Sequence, residues 1–233
     1  MQKEIHLEAG DKLIVYTTGG GTTDTPPWTD VRHQMPVNRQ PDEAWLKSQG
    51  RTAWWQRMLA QIDGITLHHT MTHDIMACAH YITRSVTQNG KGLPTTQYAF
   101  WVAADGSSYY CVDMTQAPWH DHCGDENTHI SIGLAGHLDK VAPPHAQLAG
   151  AVRLIVYLMR KLNLSIESVN GHREWSEKYQ GRPMSTCPGW LSGGWREQFF
   201  ALLRDKVDPD GASFTITANA VTEAVLAAHD EGR

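Results

Sequence analysis

The sequence predicts an α/β fold in which helices flank a mixed central β-sheet, with an N-terminal extension. Strand-like and helix-like segments alternate from about residue 64 onward, which is typical of this class. Asp105-Gly106 separates two β-prone runs and so indicates an antiparallel hairpin. After Pro143-Pro144, apolar residues recur at helical spacing and predict the clearest helix of the chain.

Residues 1–60 lack this alternation, and we expect them to form an extension that packs on the core. Glycine and proline runs interrupt regular structure there. Lys12 to Tyr16 are predicted to form a strand, and residues 42–62 one or two short helices. We therefore divide the rest of the chain into a core domain at 61–206 and a tail at 207–233.

The first core strand is predicted over residues 64–69, because its side chains alternate between two faces. Ile65, Leu67 and His69 share one face, whereas His68 lies on the other with two threonines. A polar face with a histidine suits a sheet surface that opens to a cleft.

The remaining core elements follow from the same two periodicities. In chain order they are a helix at about 74–86 with Thr72 or Asp74 as N-cap, strands at 98–103 and 107–112, a polar loop at 114–129, a strand at 130–134, the helix after Pro144, a short strand that ends near Val169, and a last helix at 193–206.

Composition excludes some classes of function. Apolar residues make up 41% of the 233 residues, which suffices for a real core. A net charge of −5 and a pI near 6.2 argue against a nucleic-acid partner, which usually requires a basic surface. No run approaches the roughly 20 apolar residues of a membrane span, and the N-terminus lacks an apolar signal core. We expect a cytoplasmic protein without stable membrane insertion.

The four cysteines are Cys78, Cys111, Cys123 and Cys187. If Cys187 binds a metal ion, three remain, which is a poor count for a disulfide framework. A reducing compartment is therefore expected.

Three separated fragments supply the residue types of a zinc site. They are Leu67-His68-His69-Thr70, Gly171-His172-Arg173-Glu174 and Ser185-Thr186-Cys187-Pro188-Gly189. Two imidazoles and one thiolate would leave the fourth tetrahedral position open, and an open position can activate water for hydrolysis. Each fragment is weak alone: His69 could replace His68, and Cys187 could be a small buried hydrophobe.

Tyr98, Trp119 and His120 are further candidates. Tyr98 opens a strand after a flexible loop, so its hydroxyl could stabilise an oxyanion, although a half-buried strand tyrosine shows the same pattern. His120 lies beside Trp119 in a polar loop, and we assign both residues to substrate binding. A proton-shuttle role for His120 and a merely solvated loop histidine are the alternatives.

Five fragments together resemble the zinc N-acetylmuramoyl-L-alanine amidases. This family includes phage amidase lysozymes, cytosolic amidases that recycle wall fragments, and animal peptidoglycan recognition proteins. The resemblance covers residues 64–200. The fragments, in order, are Ile65-Thr66-Leu67-His68-His69-Thr70, Tyr98-Ala99-Phe100, Ser131-Ile132-Gly133, Gly171-His172-Arg173-Glu174 and Thr186-Cys187-Pro188-Gly189.

The resemblance implies one zinc ion at the bottom of a groove, in a catalytic domain at 61–206. It implies cleavage of the amide between N-acetylmuramic acid and L-alanine, with peptidoglycan or muropeptide as substrate. It selects His68, His172 and Cys187 as zinc ligands. Tyr98 matches the family's strand tyrosine, and His120 best matches its loop histidine.

Several positions depart from the family pattern. Ser185 stands two residues before the third ligand, where members often have lysine or threonine. We assign Ser185 a catalytic role as a hydrogen-bond donor, with Arg182 or Lys178 as alternative sources of positive charge. Ala99 replaces a common histidine, and Ala135 falls near the point where some members place glutamate, which leaves the general base open.

A phage or prophage endolysin, released to the cell wall by a holin-type route, is the expected setting. A cytosolic recycling amidase is the next alternative. A non-catalytic peptidoglycan-binding module is a third, although such members have usually lost the cysteine that Cys187 retains. A peptidase acting on another amide is disfavoured because the sequence contains no His-Glu-x-x-His.

Overall fold

A computed structural model describes residues 3–6, 12–15, 25–41, 47, 56–121, 128–190 and 194–207. Its strands are β1 (Lys3–His6), β2 (Lys12–Val15), β3 (Thr29–Asp30), β4 (Gly64–His69), β5 (Phe100–Val102), β6 (Ser108–Tyr110), β7 (His129–Leu134) and β8 (Val169–Gly171). Its α-helices are α1 (Ile75–Thr83), α2 (His145–Leu162), α3 (His172–Gln180) and α4 (Trp195–Val207).

The central sheet has six strands in the order β3-β6-β5-β7-β4-β8. Strands β5 and β6 form the predicted antiparallel hairpin, and every other neighbouring pair is parallel. Strands β1 and β2 pair separately in an antiparallel ribbon. The predicted mixed sheet with flanking helices is confirmed.

One face of the sheet carries the main core. Ile65 and Leu67 of β4 are fully buried there, together with Leu154 of α2 and Phe199 of α4. Removing an apolar side chain of this size from water contributes about 1.5–3 kcal/mol. This packing anchors β4 between β7 and the edge strand β8, and β4 carries the paired histidines.

The opposite face is divided into an apolar part and a polar part. Ala79 and Ile82 of α1 pack there with Trp101 of β5 in a second apolar cluster. Thr66 and His68 of β4 are also buried, but they are polar and lie beyond that cluster. The predicted polar face of β4 is therefore present, and it is covered by loops.

The helix signals mark local boundaries to within a few residues. The Asp74 carboxylate accepts hydrogen bonds from the backbone amides of Met76 and Ala77, so the predicted N-cap is present. Helix α1 ends at Thr83, before the predicted end near 86, because Arg84 is already extended. Asn163 closes α2 in the left-handed conformation.

Helix α3 was missed in the sequence analysis. Its signals are present: Trp175 and Tyr179 stack at i,i+4 spacing, with ring centroids 5.8 Å apart. Gly181 then ends the helix at φ 69°, in the left-handed region that glycine adopts without strain. The apolar stripe is short and mostly aromatic, which explains why it does not stand out in the sequence.

Parts of the N-terminal extension lie directly on the core. Trp28 packs against Phe100 of β5 and Tyr157 of α2, with ring centroids 5.0 Å away in each case. Buried Arg57 donates from Nη1 to the His129 carbonyl at 2.7 Å and from Nε to the Met114 carbonyl at 2.8 Å. Burial lowers the pKa of Arg57 to about 10.

The division at residues 60 and 206 stays a prediction. The predicted strand at Lys12–Tyr16 corresponds to β2. Most of the predicted helical segment at 42–62 and the tail from 208 lie outside the described residues. In the described part of the chain, no helix is long and apolar enough to cross a bilayer.

Leu154→Ala should lower the free energy of unfolding by about 2–5 kcal/mol, because it leaves a cavity in the main core. Urea unfolding measured by tryptophan fluorescence checks this value. Leu59→Ala is the matched control, since Leu59 is 40% exposed and its truncation should cost about 1 kcal/mol or less. Equal losses for the two variants would contradict the assignment of the core.

Candidate metal centre

His68, His172 and Cys187 converge at one edge of the sheet. One ligand atom from each residue lies within 4.8 Å of the other two, and all three residues are buried. The Cys187 Sγ lies 3.5 Å from the His68 Nδ1, and the His68 and His172 ring centroids are 5.0 Å apart. The structure therefore brings together the three predicted ligands.

Strand register places the two histidines. Leu67 of β4 is paired with Gly171 of β8 in a parallel ladder, and a histidine follows each of these residues. Parallel strands end at the same edge of a sheet, so His68 and His172 become neighbours although 104 positions separate them (172 minus 68). No local sequence signal encodes this proximity.

Backbone hydrogen bonds place the cysteine. The His69 amide donates to the Cys187 Sγ at 3.3 Å, and the Arg173 amide donates to the Cys187 carbonyl at 2.8 Å. The Trp195 Nε1 donates to the Gly189 carbonyl at 3.0 Å, which anchors the end of the same loop. The thiol is thus held against both histidine-bearing segments.

The donor set fits a zinc ion. Zinc bonds of about 2.3 Å to sulfur and about 2.0–2.1 Å to nitrogen, at tetrahedral angles, require a sulfur–nitrogen separation of about 3.5 Å. This is the separation between the Cys187 Sγ and the His68 Nδ1. Burial lowers the pKa of His68 and of His172, so both rings are neutral, as metal ligation requires. Burial raises the pKa of the Cys187 thiol to about 12, and a cation would favour its thiolate.

His120 touches the candidate ligands directly. Its Nδ1 lies 3.1 Å from the His68 Nε2, and the residue is only 4% exposed. Burial lowers the pKa of His120 to about 4, so the ring is neutral at neutral pH. The alternative of a solvated loop histidine is wrong, because His120 is buried against His68 of β4.

Asp121 and His129 form a buried polar network that sequence reasoning missed. The Asp121 Oδ2 accepts a hydrogen bond from the Thr66 hydroxyl at 3.0 Å and lies 3.1 Å from the His129 Nδ1. Burial raises the pKa of Asp121, but the adjacent His120 and the hydrogen bond with His129 outweigh it and hold that pKa below its usual value. The alternation in β4 does place Thr66 beside His68, but nothing in the sequence connects this face with Asp121.

Tyr98 lies beside His68, with ring centroids 5.6 Å apart. A Cβ atom at Gly133 would lie 2.9 Å from the Tyr98 Cγ. The tyrosine ring therefore packs directly over Gly133, where a larger residue would collide with it. Burial raises the pKa of Tyr98 well above its ordinary value, which keeps the phenol protonated as a hydrogen-bond donor.

A family model described as N-acetylmuramoyl-L-alanine amidase matches residues 58–190, more than half of the chain. The chain belongs to this amidase family. The resemblance inferred from the five fragments is thus confirmed. No curated protein matches the chain.

Solved structures similar to this amidase include two bacterial or phage enzymes and one insect protein. The N-acetylmuramoyl-L-alanine amidase LysC from Clostridium intestinale has 19% identity and a TM-score of 0.48, covering 65% of this chain and 92% of its own. The Ph2119 endolysin from a Thermus scotoductus bacteriophage has 17% identity and a TM-score of 0.48, covering 71% and 95%. Drosophila PGRP-LB, in complex with tracheal cytotoxin, has 18% identity and a TM-score of 0.44, covering 55% and 75%.

Ser185 of the amidase is engaged in a local turn. Its Oγ accepts a hydrogen bond from the Cys187 amide at 3.0 Å, so the serine helps to position the third candidate ligand. Among the described residues the hydroxyl has no acceptor, and the catalytic role stays a prediction. Of the alternatives, Arg182 is exposed, and the Lys178 Nζ lies 4.7 Å from the centre of the Trp175 ring.

Trp119 lies in the second apolar cluster of the amidase and is 8% exposed. Its carbonyl accepts a hydrogen bond from the Gln97 side chain. This placement makes packing the main role that the structure supports, and its assignment to substrate binding stays a prediction.

Glu174 accepts a hydrogen bond from the Trp190 Nε1 at 2.7 Å and so links α3 to the loop that follows Cys187.

Asp121→Asn should lower the free energy of unfolding of the amidase by about 2–3 kcal/mol, because it breaks a buried charged hydrogen-bond network. Chemical denaturation of the metal-depleted protein checks this loss without interference from bound zinc. Asp63→Asn is the control: this carboxylate also approaches His129, at 3.8 Å, but its side chain is 71% exposed. A change within about 0.5 kcal/mol is expected there.

Proposed function

We propose that the protein is a zinc-dependent hydrolase that cleaves the amide between N-acetylmuramic acid and L-alanine in peptidoglycan. The convergence of His68, His172 and Cys187 in a member of this amidase family is the observation that carries the proposal. Structural zinc sites are closed by four protein ligands, whereas three protein ligands leave a position for water or substrate. Among the described residues the donor set has three members, the number found in catalytic zinc sites.

These three side chains would hold the ion. A bound zinc ion supplies a Lewis acid that activates water and polarises the substrate carbonyl. The His68 Nδ1 faces the Cys187 Sγ, so this nitrogen is the ligand atom that His68 offers. Burial of all three residues excludes bulk water and strengthens the electrostatic interactions within the site.

His120 would fix the tautomer of His68. With Nδ1 of His68 directed at the metal, its Nε2 carries the proton and donates to the His120 Nδ1 at 3.1 Å. His120 must then carry its own proton on Nε2. This arrangement orients the His68 ring and places His120 directly beside the proposed zinc ligands, which supports its predicted role in binding.

Tyr98 would stabilise the negative charge that develops on the carbonyl oxygen. Its phenol is protonated and its ring lies next to His68. A hydrogen bond aimed at the position of the developing oxyanion stabilises the transition state more than the ground state. Ser185 is a second candidate donor, because it lies two residues before Cys187.

We further propose that the enzyme acts as a phage or prophage endolysin that reaches the wall after a holin-type permeabilisation. Cysteine as third ligand is the variant that the resemblance associates with phage lysozymes and catalytic recognition proteins. Cys78, Cys111 and Cys187 are free thiols, which supports folding in a reducing compartment, and Cys123 lies outside the described residues. Expression with and without a holin tests the setting: lysis should require both proteins.

Cys187→Ala should remove one equivalent of zinc and reduce amide hydrolysis to background, because two imidazoles alone hold the ion weakly. Elemental analysis and mass spectrometry of digested sacculi measure the two effects. Cys78→Ala, which removes a buried thiol on α1 outside the site, should leave both unchanged. Full hydrolysis by the Cys187 variant would refute the proposed ligand set.

Tyr98→Phe should lower kcat by about 100- to 1,000-fold with little change in KM and no loss of zinc, because it removes only an oxyanion donor. Steady-state assays on a soluble muropeptide measure these constants. Tyr109→Phe is the control, since Tyr109 packs in the second apolar cluster and should retain normal turnover. An unchanged kcat in the Tyr98 variant would leave Tyr98 a packing residue.

A further inference from the structure

A second group of candidate ligands consists of His69, His137 and Asp139. One ligand atom from each lies within 4.8 Å of the other two. The His69 Nε2 lies 3.7 Å from the Asp139 Oδ2, which is too far for a hydrogen bond. The two imidazole rings are 5.7 Å apart and almost perpendicular, at 85°. These side chains surround a common point without bonding to one another.

Both histidines carry a buried nitrogen without a hydrogen bond. The Nδ1 atoms of His69 and His137 are inaccessible to solvent and have no partner among the described residues. A buried polar atom without a hydrogen bond destabilises the fold. Either nitrogen of a neutral imidazole can coordinate a metal ion, and the His69 nitrogen nearest the Asp139 carboxylate is Nε2.

We propose that His69, His137 and Asp139 bind a second divalent transition-metal ion. Two imidazoles and one carboxylate are donors that suit zinc and similar ions, whereas calcium and magnesium prefer oxygen ligands alone. His137 and Asp139 are partly exposed, so the ion would have a path from solvent and room for a water ligand. The second site contains no thiolate, which distinguishes it chemically from the first.

The two sites lie on opposite sides of one strand. Successive side chains of a β-strand point to opposite faces, so adjacent His68 and His69 serve different groups. The proposed first site uses only His68 of the His-His pair, and the second site would give His69 a role of its own.

The second site would also brace the loop that carries Cys187. The Asp139 Oδ2 accepts a hydrogen bond from the Thr186 hydroxyl at 2.9 Å, and the His69 amide donates to the Cys187 Sγ. An ion bound by Asp139 and His69 would therefore join β4 to the residue before Cys187. Its loss should weaken metal binding at the first site without removing any ligand from it.

Titration of the metal-depleted full chain with Co²⁺ tests the proposal, because only the first site contains a thiolate. The wild-type chain should take up two equivalents, of which one produces a thiolate-to-cobalt charge-transfer band. His137→Ala and Asp139→Asn should each reduce the uptake to one equivalent and retain the band. Asp139→Asn keeps an acceptor for Thr186, so it guards against an effect of misfolding.

His145→Ala is the matched control, since His145 is an exposed histidine outside both groups and should leave two equivalents. Cys187→Ala should lose the band but keep one equivalent, so failure of the proposed amidase site and failure of the second site give different results. Uptake of a single equivalent by the wild-type chain, or of two by either second-site variant, would overturn the proposal.

Discussion

The parallel pairing of β4 with β7 and β8 is the constraint on which the rest of the structure depends. It brings His68 to the same sheet edge as His172 and aligns Gly133 of β7 beside His68. The pairing is stable because the other face of β4 is locked into the main core by Ile65 and Leu67. A shift of one residue in register would turn Thr66 and His68 toward that core and Ile65 and Leu67 away from it, at a large cost in free energy.

Polar side chains buried around β4 carry a desolvation cost, which hydrogen bonds from neighbouring residues offset. Among the described residues, five histidines and one aspartate are buried around β4: His68, His69, His120, Asp121, His129 and His172. Burial lowers the pKa values of His68, His69, His120 and His172, and hydrogen bonds from Thr66 and His129 offset the cost of burying the Asp121 carboxylate. Polar groups held in this way are preorganised, because they need little rearrangement when an ion or a substrate arrives.

The segments around Cys187 are held in place by residues other than the three candidate ligands. Glu174 and Trp190 link the start of α3 to the segment after Cys187. Asp139 reaches Thr186 from the other side, and Ser185 holds the turn from within. The cysteine is therefore supported by three neighbouring segments. A cysteine side chain is short and has few conformations, so the position of its sulfur depends on the position of the backbone.

The sequence by itself determined the family, the α/β class and most of the regular elements. Periodicity in β4, the Asp105-Gly106 turn and the cap at Asp74 act locally, so they can be read from neighbouring residues. Helix α3 was missed because its stripe is short and aromatic. The three proposed ligands were found by resemblance to a family, since spacing alone did not separate His68 from His69.

Only the tertiary structure decided which histidine faces which partner. His120 and Asp121 lie in the predicted polar loop and His129 begins β7, and their burial depends on contacts with residues of β4 that are distant in the sequence. His137 and Asp139 meet His69 because two strand ends lie side by side, as do His68 and His172. Contacts of this kind join residues that are distant in the chain, and the free energy that forms them comes from packing of the whole sheet. No window of sequence contains that information.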